Sequence, residues 1–322
     1  AALAEPRNEG HGGRPLVWAH RGSSREAPEN TLVAFRAALE AGADGVELDL
    51  HLSSDGHAVV IHDATLDRTA GVPGAVASWT FAELRSLSVG PGGEVVPTLE
   101  EVLELVMGWP GGERRILIEL KGPFGGLPAL LGSVLRRTGV LHHEAPVYSE
   151  LPAVLAAALK PYKAAVDSGR VLVQSFYMPY LKELHKLMSG LPLLYLTLSA
   201  TSGWLEREHV LETAVHNGLV GISARNTFLS ADTVARLHSL GLLVFAWTVD
   251  EPEVMVQAKG KGVDGLITNC PGVAMAALAA TCATVAPELS KSPKAASPRS
   301  RRSMGLVSAG AGAIAAVGGA LV

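Results

Sequence analysis

Short runs of hydrophobic residues recur along the chain, and most are followed by a stretch in which apolar residues repeat at helical spacing. After the first run, at 16–20, Leu32, Phe35 and Leu39 share one face of a helix predicted over 31–41. Strands that alternate with helices in this way are typical of a parallel sheet with helices outside it. The predicted parallel strands are 16–20, 45–50, 115–120, 171–175, 193–197, 219–223, 243–248 and 265–268.

One further hydrophobic run, at 58–62, does not fit this alternation. It begins too soon after the second strand for a parallel crossover, which needs roughly a dozen residues. Asp55-Gly56 is a favourable two-residue hairpin turn, so we predict that 58–62 returns antiparallel to the end of the second strand. In that register Asp49 lies opposite His62, with both side chains on one face of the sheet.

Without the hairpin arm, eight strands remain for the parallel sheet. This number favours an α/β fold of the closed (β/α)8, or TIM, barrel type over an open doubly wound sheet. Near its middle the chain has an unusually long crossover, 122–169, which we predict to hold two helices, near 127–137 and 151–166.

The composition permits a large core and limits the classes of partner. Of the 322 residues, 48% are hydrophobic and 18% are charged, which is typical of a globular domain. The net charge of −4 gives no general reason to bind nucleic acid. The two cysteines, Cys270 and Cys282, fit neither a disulfide framework nor a zinc site, so we expect free thiols.

The ends of the chain differ from the middle. We predict a flexible lead-in over 1–14, the barrel over 15–284, a linker rich in Ser, Pro and basic residues over 285–303, and an uncharged tail of small residues over 304–322. The tail reaches the length of a membrane span, but its residues are only weakly hydrophobic. It is therefore either a disordered tail or a weak membrane anchor, and the localisation stays open.

Charged residues and histidines fall where the predicted strands end. Alternate positions along a strand share one face, so each pair spaced by two residues points the same way. The carboxyl ends of the strands form the rim on which barrel enzymes build their active sites. The set consists of His20, Arg21, Glu47, Asp49, His62, Glu119 and Lys121.

The charges of this set suggest a bound cation. Three carboxylates would face Arg21 and Lys121, which leaves a net charge of −1, and burying such ions costs several kcal/mol each. A divalent cation changes the sum to +1, and a phosphodiester anion then makes the assembly neutral. Oxygen ligands without cysteine suit Mg²⁺ or Ca²⁺.

Each of these residues also has an ordinary structural explanation when taken alone. Glu119 and Lys121 could form a structural ion pair, and either histidine could be a satisfied residue at a strand end. Glu47 and Asp49 could face solvent, and Arg21 could bind a carbonyl group. Their convergence on one predicted rim favours the catalytic interpretation.

The same residues lie in motifs that resemble the glycerophosphodiester phosphodiesterase family in order and spacing. Together these motifs extend over roughly 15–278. They are His20-Arg21-Gly22, Ala27-Pro28-Glu29-Asn30-Thr31, Gly45-Val46-Glu47-Leu48-Asp49, His62-Asp63-x-Thr65-Leu66-x-Arg68-Thr69, Pro97-Thr98-Leu99-Glu100-Glu101, Glu119-Leu120-Lys121, Gln174-Ser175-Phe176, Trp247-Thr248-Val249 and Gly265-Leu266-Ile267-Thr268.

The resemblance implies a (β/α)8 barrel, one divalent metal ion, and cleavage of glycerol-linked phosphodiesters to glycerol 3-phosphate and an alcohol. It also implies a role for each residue. It assigns His20 and His62 to acid–base catalysis, Glu47, Asp49 and Glu119 to the metal, Arg21 and Lys121 to the phosphate oxygens, and Trp247 to the pocket wall.

Two histidines suit the proton transfers of such a reaction because their unperturbed pKa is about 6.5. One would deprotonate the glycerol 2-hydroxyl, which attacks phosphorus and forms a cyclic phosphate, while the other protonates the departing alcohol. Water then opens the ring with the roles reversed. The sequence leaves open which histidine acts first.

Two positions depart from the family pattern. Asn269 and Tyr177 stand where the family commonly has Asp, which puts the identity of the substrate in question more than catalysis.

Two other functions compete with this one. A mostly apolar rim near Phe124, Tyr177 and Phe228 would favour a lysophospholipase D that releases lysophosphatidic acid. The remaining alternative is an inactive barrel that binds phosphate esters or a protein.

Overall fold

The computed structural model describes residues 13–111, 113–122, 147–197 and 215–283. Within these ranges nine strands form one sheet. The strands are β1 Leu16–His20, β2 Gly45–Leu52, β3 Ala58–Val60, β4 Arg115–Leu120, β5 Val171–Ser175, β6 Leu193–Thr197, β7 Gly221–Arg225, β8 Leu243–Trp247 and β9 Gly265–Thr268.

Eight of these strands are parallel and close into a barrel. Neighbours pair in the order β1, β2, β4, β5, β6, β7, β8 and β9, and β9 pairs again with β1. The remaining strand, β3, is antiparallel and extends the end of β2. The predicted (β/α)8 barrel and its hairpin extension are therefore confirmed.

Helices surround the barrel, and several of them begin at a residue whose side chain caps the helix. Thr31, Thr98 and Ser230 each accept a hydrogen bond from the backbone N–H three residues further on. The described helices are α1 Leu32–Glu40, α2 Asp67–Ala70, α3 Phe81–Arg85, α4 Leu99–Met107, α5 Leu151–Ala158, α6 Lys163–Asp167, α7 Met178–Leu187, α8 Ala231–Ser239, α9 Pro252–Lys261 and α10 Pro271–Ala283.

The register of the hairpin was predicted wrongly by one residue. Leu50 pairs with Val60, and the N–H of Ile61 donates to the carbonyl oxygen of Asp49 at 3.0 Å. Ile61, rather than His62, therefore lies opposite Asp49. His62 follows β3 outside the ladder, so its side-chain direction is not set by strand pairing.

The cause of the shift is a loop of three residues instead of two. The N–H of Ser53 donates to the carbonyl oxygen of His57 at 3.0 Å, and the Ser53 hydroxyl accepts from the N–H of His57 at 2.9 Å. Gly56 has a left-handed backbone, with φ of 82°. A three-residue hairpin loop with glycine in this conformation is common and moves the pairing by one position.

Other elements also differ from the prediction in their limits. β7 begins two residues later than expected, at Gly221. The predicted helix at 151–166 is two helices, α5 and α6, joined by a 3-10 turn at Lys160–Tyr162. Pro161 lies in this turn and has no N–H to continue an α-helix.

Several predicted segments lie outside the described residues. They are the helix near 127–137, the linker at 285–303 and the tail at 304–322. Across the part of the chain that the structure describes, no helix combines the length and apolar character needed to cross a membrane. The limits of the predicted domains remain predictions.

Large side chains fill the lower part of the barrel lumen. The rings of Trp18 and Phe245 lie 5.5 Å apart, and both side chains are fully buried. Together with them, Leu117, Leu172, Leu194 and Ile267 form one apolar layer inside the barrel. The barrel is therefore closed below the level at which the polar residues of β1, β2 and β4 begin.

The turn after β1 packs tightly against α1. Gly22 has a left-handed backbone with φ of 84°, and a Cβ atom there would lie 2.6 Å from the backbone carbon of Ala34. Next to it, the N–H of Ser23 donates to the carbonyl oxygen of Ala34 at 2.9 Å. This contact positions the segment that carries Arg21.

Replacing Gly22 with alanine should lower the free energy of unfolding more than Gly56→Ala does. Both glycines have a similar φ, which costs about 1–2 kcal/mol for alanine, but a Cβ at Gly56 meets nothing within 4 Å. The steric overlap at Gly22 should add about 1–3 kcal/mol. Equal losses for the two variants in urea denaturation would contradict the tight contact with α1.

Candidate active site

Three acidic side chains from neighbouring strands meet in the upper lumen. Glu47 and Asp49 occupy alternate positions of β2, and the strand register places Asp49 beside Glu119 of β4. Each of the three supplies a carboxylate oxygen, and these oxygens lie within 4.8 Å of one another. The residues are 1%, 0% and 7% exposed, respectively. Among the described residues, this is the only acidic, histidine or cysteine cluster compact enough to hold a metal ion.

Two cations lie against these carboxylates. Lys121 Nζ is 3.0 Å from Asp49 Oδ1 and 2.7 Å from Glu119 Oε1, while Arg21 Nε is 3.3 Å from Asp49 Oδ2. Burial opposes the charge of Lys121, but Asp49 and Glu119 outweigh it and raise the pKa of the ammonium group. The ion pair between Glu119 and Lys121 therefore exists, and it also includes Asp49.

Arg21 and Asn30 hold the carboxylates from an unusual backbone conformation. Both are left-handed, with φ of 56° and 57°, which residues other than glycine rarely adopt. The N–H of Arg21 donates to Glu47 Oε2 at 3.1 Å. Asn30 Nδ2 donates to Asp49 Oδ2 at 2.8 Å, and Asn30 Oδ1 accepts from the N–H of Asp49 at 3.4 Å. The strained turn thus fixes two of the three acidic residues.

Glu47 carries the negative charge that the two cations leave unbalanced. Burial, followed by repulsion from Asp49 and Glu119, raises the pKa of the Glu47 carboxyl well above its usual range. Burial would also raise the pKa of Asp49, but Lys121 is the largest of several positive charges that lower it well below its usual range. With protein charges alone, a proton on Glu47 makes the cluster neutral.

His20 is held by an amide instead of a carboxylate. Its Nδ1 lies 2.8 Å from Asn269 Oδ1, which also accepts from the Ser24 hydroxyl at 2.8 Å. Asn269 Nδ2 donates to Asp250 Oδ2 at 2.7 Å, which fixes the orientation of the amide. The His20 Nδ1 must then carry its proton, so in the neutral ring Nε2 has the free lone pair.

The environment of His20 strongly favours the neutral ring. Burial and, next, the charge of Arg21 lower the pKa of His20 to about 4, against weaker opposing effects from Asp49 and the hydrogen bond with Asn269. At neutral pH this imidazole is therefore a proton acceptor.

His62 has a carboxylate partner. Its Nδ1 lies 2.6 Å from Asp63 Oδ1, and Arg68 Nε donates to Asp63 Oδ2 at 2.6 Å. The ring lies near enough to Asp49 and His20 that a positive charge on it would lower the pKa of both. The structure therefore brings His62 to the site, as predicted. It does so from the segment after β3, and not by pairing with Asp49 in the hairpin.

Glu29 connects Arg21 to the side of the site that carries His62. It accepts two hydrogen bonds from Arg68, at 2.9 and 2.7 Å, and one from Arg21 Nη1 at 3.1 Å. Each arginine is thereby kept in a fixed orientation at the barrel mouth.

His51 supports the backbone of His62 from below. It is fully buried, and burial lowers its pKa to about 4. Its Nε2 lies 3.1 Å from the carbonyl oxygen of His62 and its Nδ1 lies 3.1 Å from the Tyr148 hydroxyl. Because the carbonyl can only accept, Nε2 donates, and the neutral ring accepts from Tyr148.

Trp247 lies at the opposite side of the mouth, at the end of β8. The guanidinium of Arg225 lies 5.7 Å from its ring centroid, and Phe176 meets it edge-on at 6.0 Å. Of the aromatic residues predicted to form an apolar rim, Tyr177 packs against the core and Phe124 lies outside the described residues.

A cavity of about 380 Å³ opens beside His20. Its walls carry both arginine and carboxylate groups, so it suits a polar ligand. The lining residues are His20, Arg21, Ser24, Arg25, Glu29, Asp250 and Asn269.

The chain matches the family model described as "Glycerophosphoryl diester phosphodiesterase family" over residues 20–126 and 133–273. These ranges cover most of the chain and contain every residue of the candidate site. The chain belongs to the glycerophosphodiester phosphodiesterase family. It is thus a phosphoric diester hydrolase by family.

Relatives and solved structures of this family extend the match over almost their full length. The "Glycerophosphodiester phosphodiesterase" of Caldanaerobacter subterraneus subsp. tengcongensis is 33% identical over 264 residues, which is 80% of this chain and 95% of the relative. The crystal structure of a glycerophosphodiester phosphodiesterase from Thermotoga maritima has a TM-score of 0.60 and 27% identity, covering 82% of this chain and 98% of that one.

A third comparison concerns a protein that was solved with a ligand. A phosphodiesterase from Oleispira antarctica, in complex with the product sn-glycerol-3-phosphate, has a TM-score of 0.64 and 25% identity. The alignment covers 83% of this chain and 97% of that one.

Several residues of this glycerophosphodiesterase site escaped the sequence prediction. Glu29, Asn30 and Gln174 lie inside the recognised motifs, but their contacts are with partners that only the folded chain brings near. Gln174 Nε2, for example, donates to Glu47 Oε1 at 3.3 Å. Asp250 gave no signal at all. The left-handed conformation of Asn30 is one that asparagine tolerates better than most residues, which is the one local clue to its position.

The residues present fit a divalent cation. The three carboxylates offer only oxygen ligands, their oxygens are close together, and the side chains alone carry one excess negative charge. In addition, Asp49 Oδ1 is buried and accepts no hydrogen bond among the described residues, although Lys121 Nζ lies 3.0 Å from it. We therefore assign Glu47, Asp49 and Glu119 as the residues that would hold the ion.

Asn269→Asp should raise the pKa of His20 from its low value, because a carboxylate 2.8 Å from Nδ1 stabilises the charged ring. In the wild type, the His20 resonances should show a neutral ring down to about pH 5, since its pKa is about 4. In the variant the ring should become protonated at higher pH. Histidine side-chain NMR over a pH titration measures both.

His51 provides an internal control in the same spectra. Its pKa is also lowered to about 4, and its ring binds Tyr148 and a backbone carbonyl instead of Asn269. Its titration should be unchanged in the variant. An unchanged His20 titration would contradict the proposed hydrogen bond.

Proposed function

We propose that this enzyme hydrolyses glycerophosphodiesters to sn-glycerol 3-phosphate and an alcohol, with one divalent metal ion and two acid–base histidines. The observation that carries the proposal is the cluster of three buried carboxylates with two cations and His20 beside them. The product complex of the similar Oleispira antarctica phosphodiesterase supports the substrate class.

The phosphate group would bind where positive charge is concentrated. Arg21 and Lys121 are fixed by the carboxylates and by Glu29, so they lose little freedom when they bind phosphate oxygens. A divalent ion held by Glu47, Asp49 and Glu119, which we take to be Mg²⁺ or Ca²⁺, would supply further neutralisation of the charge that builds on the phosphate in the transition state.

The environments of the two histidines suit opposite roles, one as proton acceptor and the other as proton donor. His20 is neutral at pH 7, and its Nε2 has a free lone pair, so it can remove the proton of the glycerol 2-hydroxyl. His62 lies against Asp63, whose carboxylate can stabilise a positive ring, so it can deliver a proton to the departing alcohol.

The reaction would then proceed in two steps. The glycerol oxygen attacks phosphorus, the bond from phosphorus to the alcohol breaks, and a cyclic phosphate remains. Water next attacks the same phosphorus and opens the ring. In this step His62 takes the proton from water and His20 returns one to the glycerol oxygen, so both rings regain their starting states.

Chelation should abolish turnover, and either Mg²⁺ or Ca²⁺ should restore it. Glu47→Gln separates this effect from folding, because glutamine reproduces the neutral form that the high pKa of Glu47 favours. We expect turnover of glycerophosphocholine to fall by at least about 100-fold, while the melting temperature in EDTA stays equal or rises. The exposed Glu100→Gln is the control for both measurements.

Two results would contradict the metal proposal. Full turnover in excess EDTA would remove the metal ion from the mechanism. A large loss of stability in Glu47→Gln would mean that Glu47 is ionised and structural.

His20→Ala and His62→Ala should each lower kcat by about 10²–10⁴-fold, the usual effect of losing general acid–base assistance. KM should change much less, because the charged contacts to phosphate remain. The double variant should be little worse than the worse single variant, since the two groups act as a unit. His57→Ala, which removes an exposed histidine from the hairpin, is the control.

The pH dependence of kcat/KM distinguishes catalysis from binding. The wild type should give a bell-shaped profile, and a single variant with measurable activity should lack one limb. Near-wild-type rates in both variants would refute the acid–base roles.

An inactive barrel that only binds phosphate esters would show no turnover with any diester. Lysophosphatidylcholine in the same assay tests the lysophospholipase D alternative.

A further inference from the structure

The wall of the barrel that faces the carboxylates is nearly free of charge. Strands β5, β6, β7 and β8 follow one another around this side, and their sequences are VLVQS, LLYLT, GISAR and LVFAW. Together they contain one charged residue, Arg225, which is the last residue of β7. In the order of the strands, β7 lies directly across the closed barrel from β2.

Arg225 lies on the inner face of this wall. Its strand partner is Trp247, and two positions earlier Ser223 pairs with Phe245, which belongs to the apolar layer inside the barrel. Residues two apart on a strand share a face, so Arg225 and Trp247 both point to the lumen side at the carboxyl end. Arg225 is exposed there, whereas the rest of β7 is buried.

The guanidinium of Arg225 stacks on the indole, and it has no acidic partner among the residues that the structure describes. Its Cζ lies 5.7 Å from the centroid of the Trp247 ring, within the range of a cation–π interaction. Among the described residues, no carboxylate comes within 4.0 Å of this guanidinium. Because Phe176 packs edge-on against the same indole, the arginine is presented by an aromatic support.

This arrangement would favour an anionic ligand over a cationic one. A fixed guanidinium with free N–H groups binds a carboxylate or phosphate through two parallel hydrogen bonds. A quaternary or primary ammonium group would normally bind to the face of a tryptophan, but here Arg225 covers one face and repels a second cation.

We propose that Arg225, supported by Trp247, binds an anionic group on the leaving alcohol and makes the enzyme prefer diesters of acidic alcohols. This inference rests on the proposed function, in which the phosphate lies against Arg21 and Lys121. The alcohol would then extend across the mouth toward β7. The ligand class is an alcohol that bears a carboxylate or a phosphate.

Glycerophosphoserine and glycerophosphoethanolamine are suitable probes because they differ by a single carboxylate. The wild type should have the higher kcat/KM for glycerophosphoserine. Arg225→Gln should lower the ratio of the two kcat/KM values by about tenfold, the effect of losing one charge-assisted hydrogen-bond pair. Arg225→Lys, which keeps the charge but loses the planar group, should retain more of the ratio.

Arg236→Gln is the matched control, because it removes the same charge from an exposed position on α8, outside the barrel. Its ratio should equal that of the wild type. A ratio unchanged in Arg225→Gln, with both diesters still hydrolysed, would overturn this inference and leave the proposed function intact. No turnover of either diester by the wild type would overturn the proposed function and the inference with it.

Discussion

The active site depends on one constraint, which is that negative charge buried inside a barrel must be balanced where it lies. Glu47, Asp49 and Glu119 are nearly inaccessible to water, and an unbalanced buried ion costs several kcal/mol. Lys121 bridges Asp49 and Glu119. From the turn after β1, the guanidinium of Arg21 contacts Asp49 and its backbone N–H donates to Glu47. The left-handed backbone of Arg21 is tolerated because its N–H and its side chain both serve this cluster.

The parts of the fold that the sequence predicted are those that follow from local periodicity. Hydrophobic runs typical of strands and helical spacing between them predicted the barrel, because each signal lies within a few residues. The convergence of Glu47, Asp49 and Glu119 was also predictable, since parallel strands end at the same rim and alternate residues share a face. The resemblance to known phosphodiesterases gave the roles that periodicity alone left open.

The parts that could not be predicted depend on a single hydrogen bond or on distant partners. The hairpin register changed because the Ser53 hydroxyl and the left-handed Gly56 favour a three-residue loop over a two-residue turn. His20 and Asn269 are 249 positions apart, and no local pattern connects them. The departure of Asn269 from the usual aspartate was visible in the sequence. Its effect, which is to give the buried His20 ring an uncharged hydrogen-bond partner, needed the three-dimensional contact.

The position of Lys121 also bears on how a divalent ion would bind at this site and leave it. Because its ammonium group bridges Asp49 and Glu119, these two carboxylates have a positive partner without an ion. Only Glu47 then has to take up a proton, and the barrel need not open to relieve repulsion. An ion that returns would displace that proton, so ion binding and proton release would be coupled. Affinity for the ion would accordingly rise with pH through the range in which Glu47 titrates.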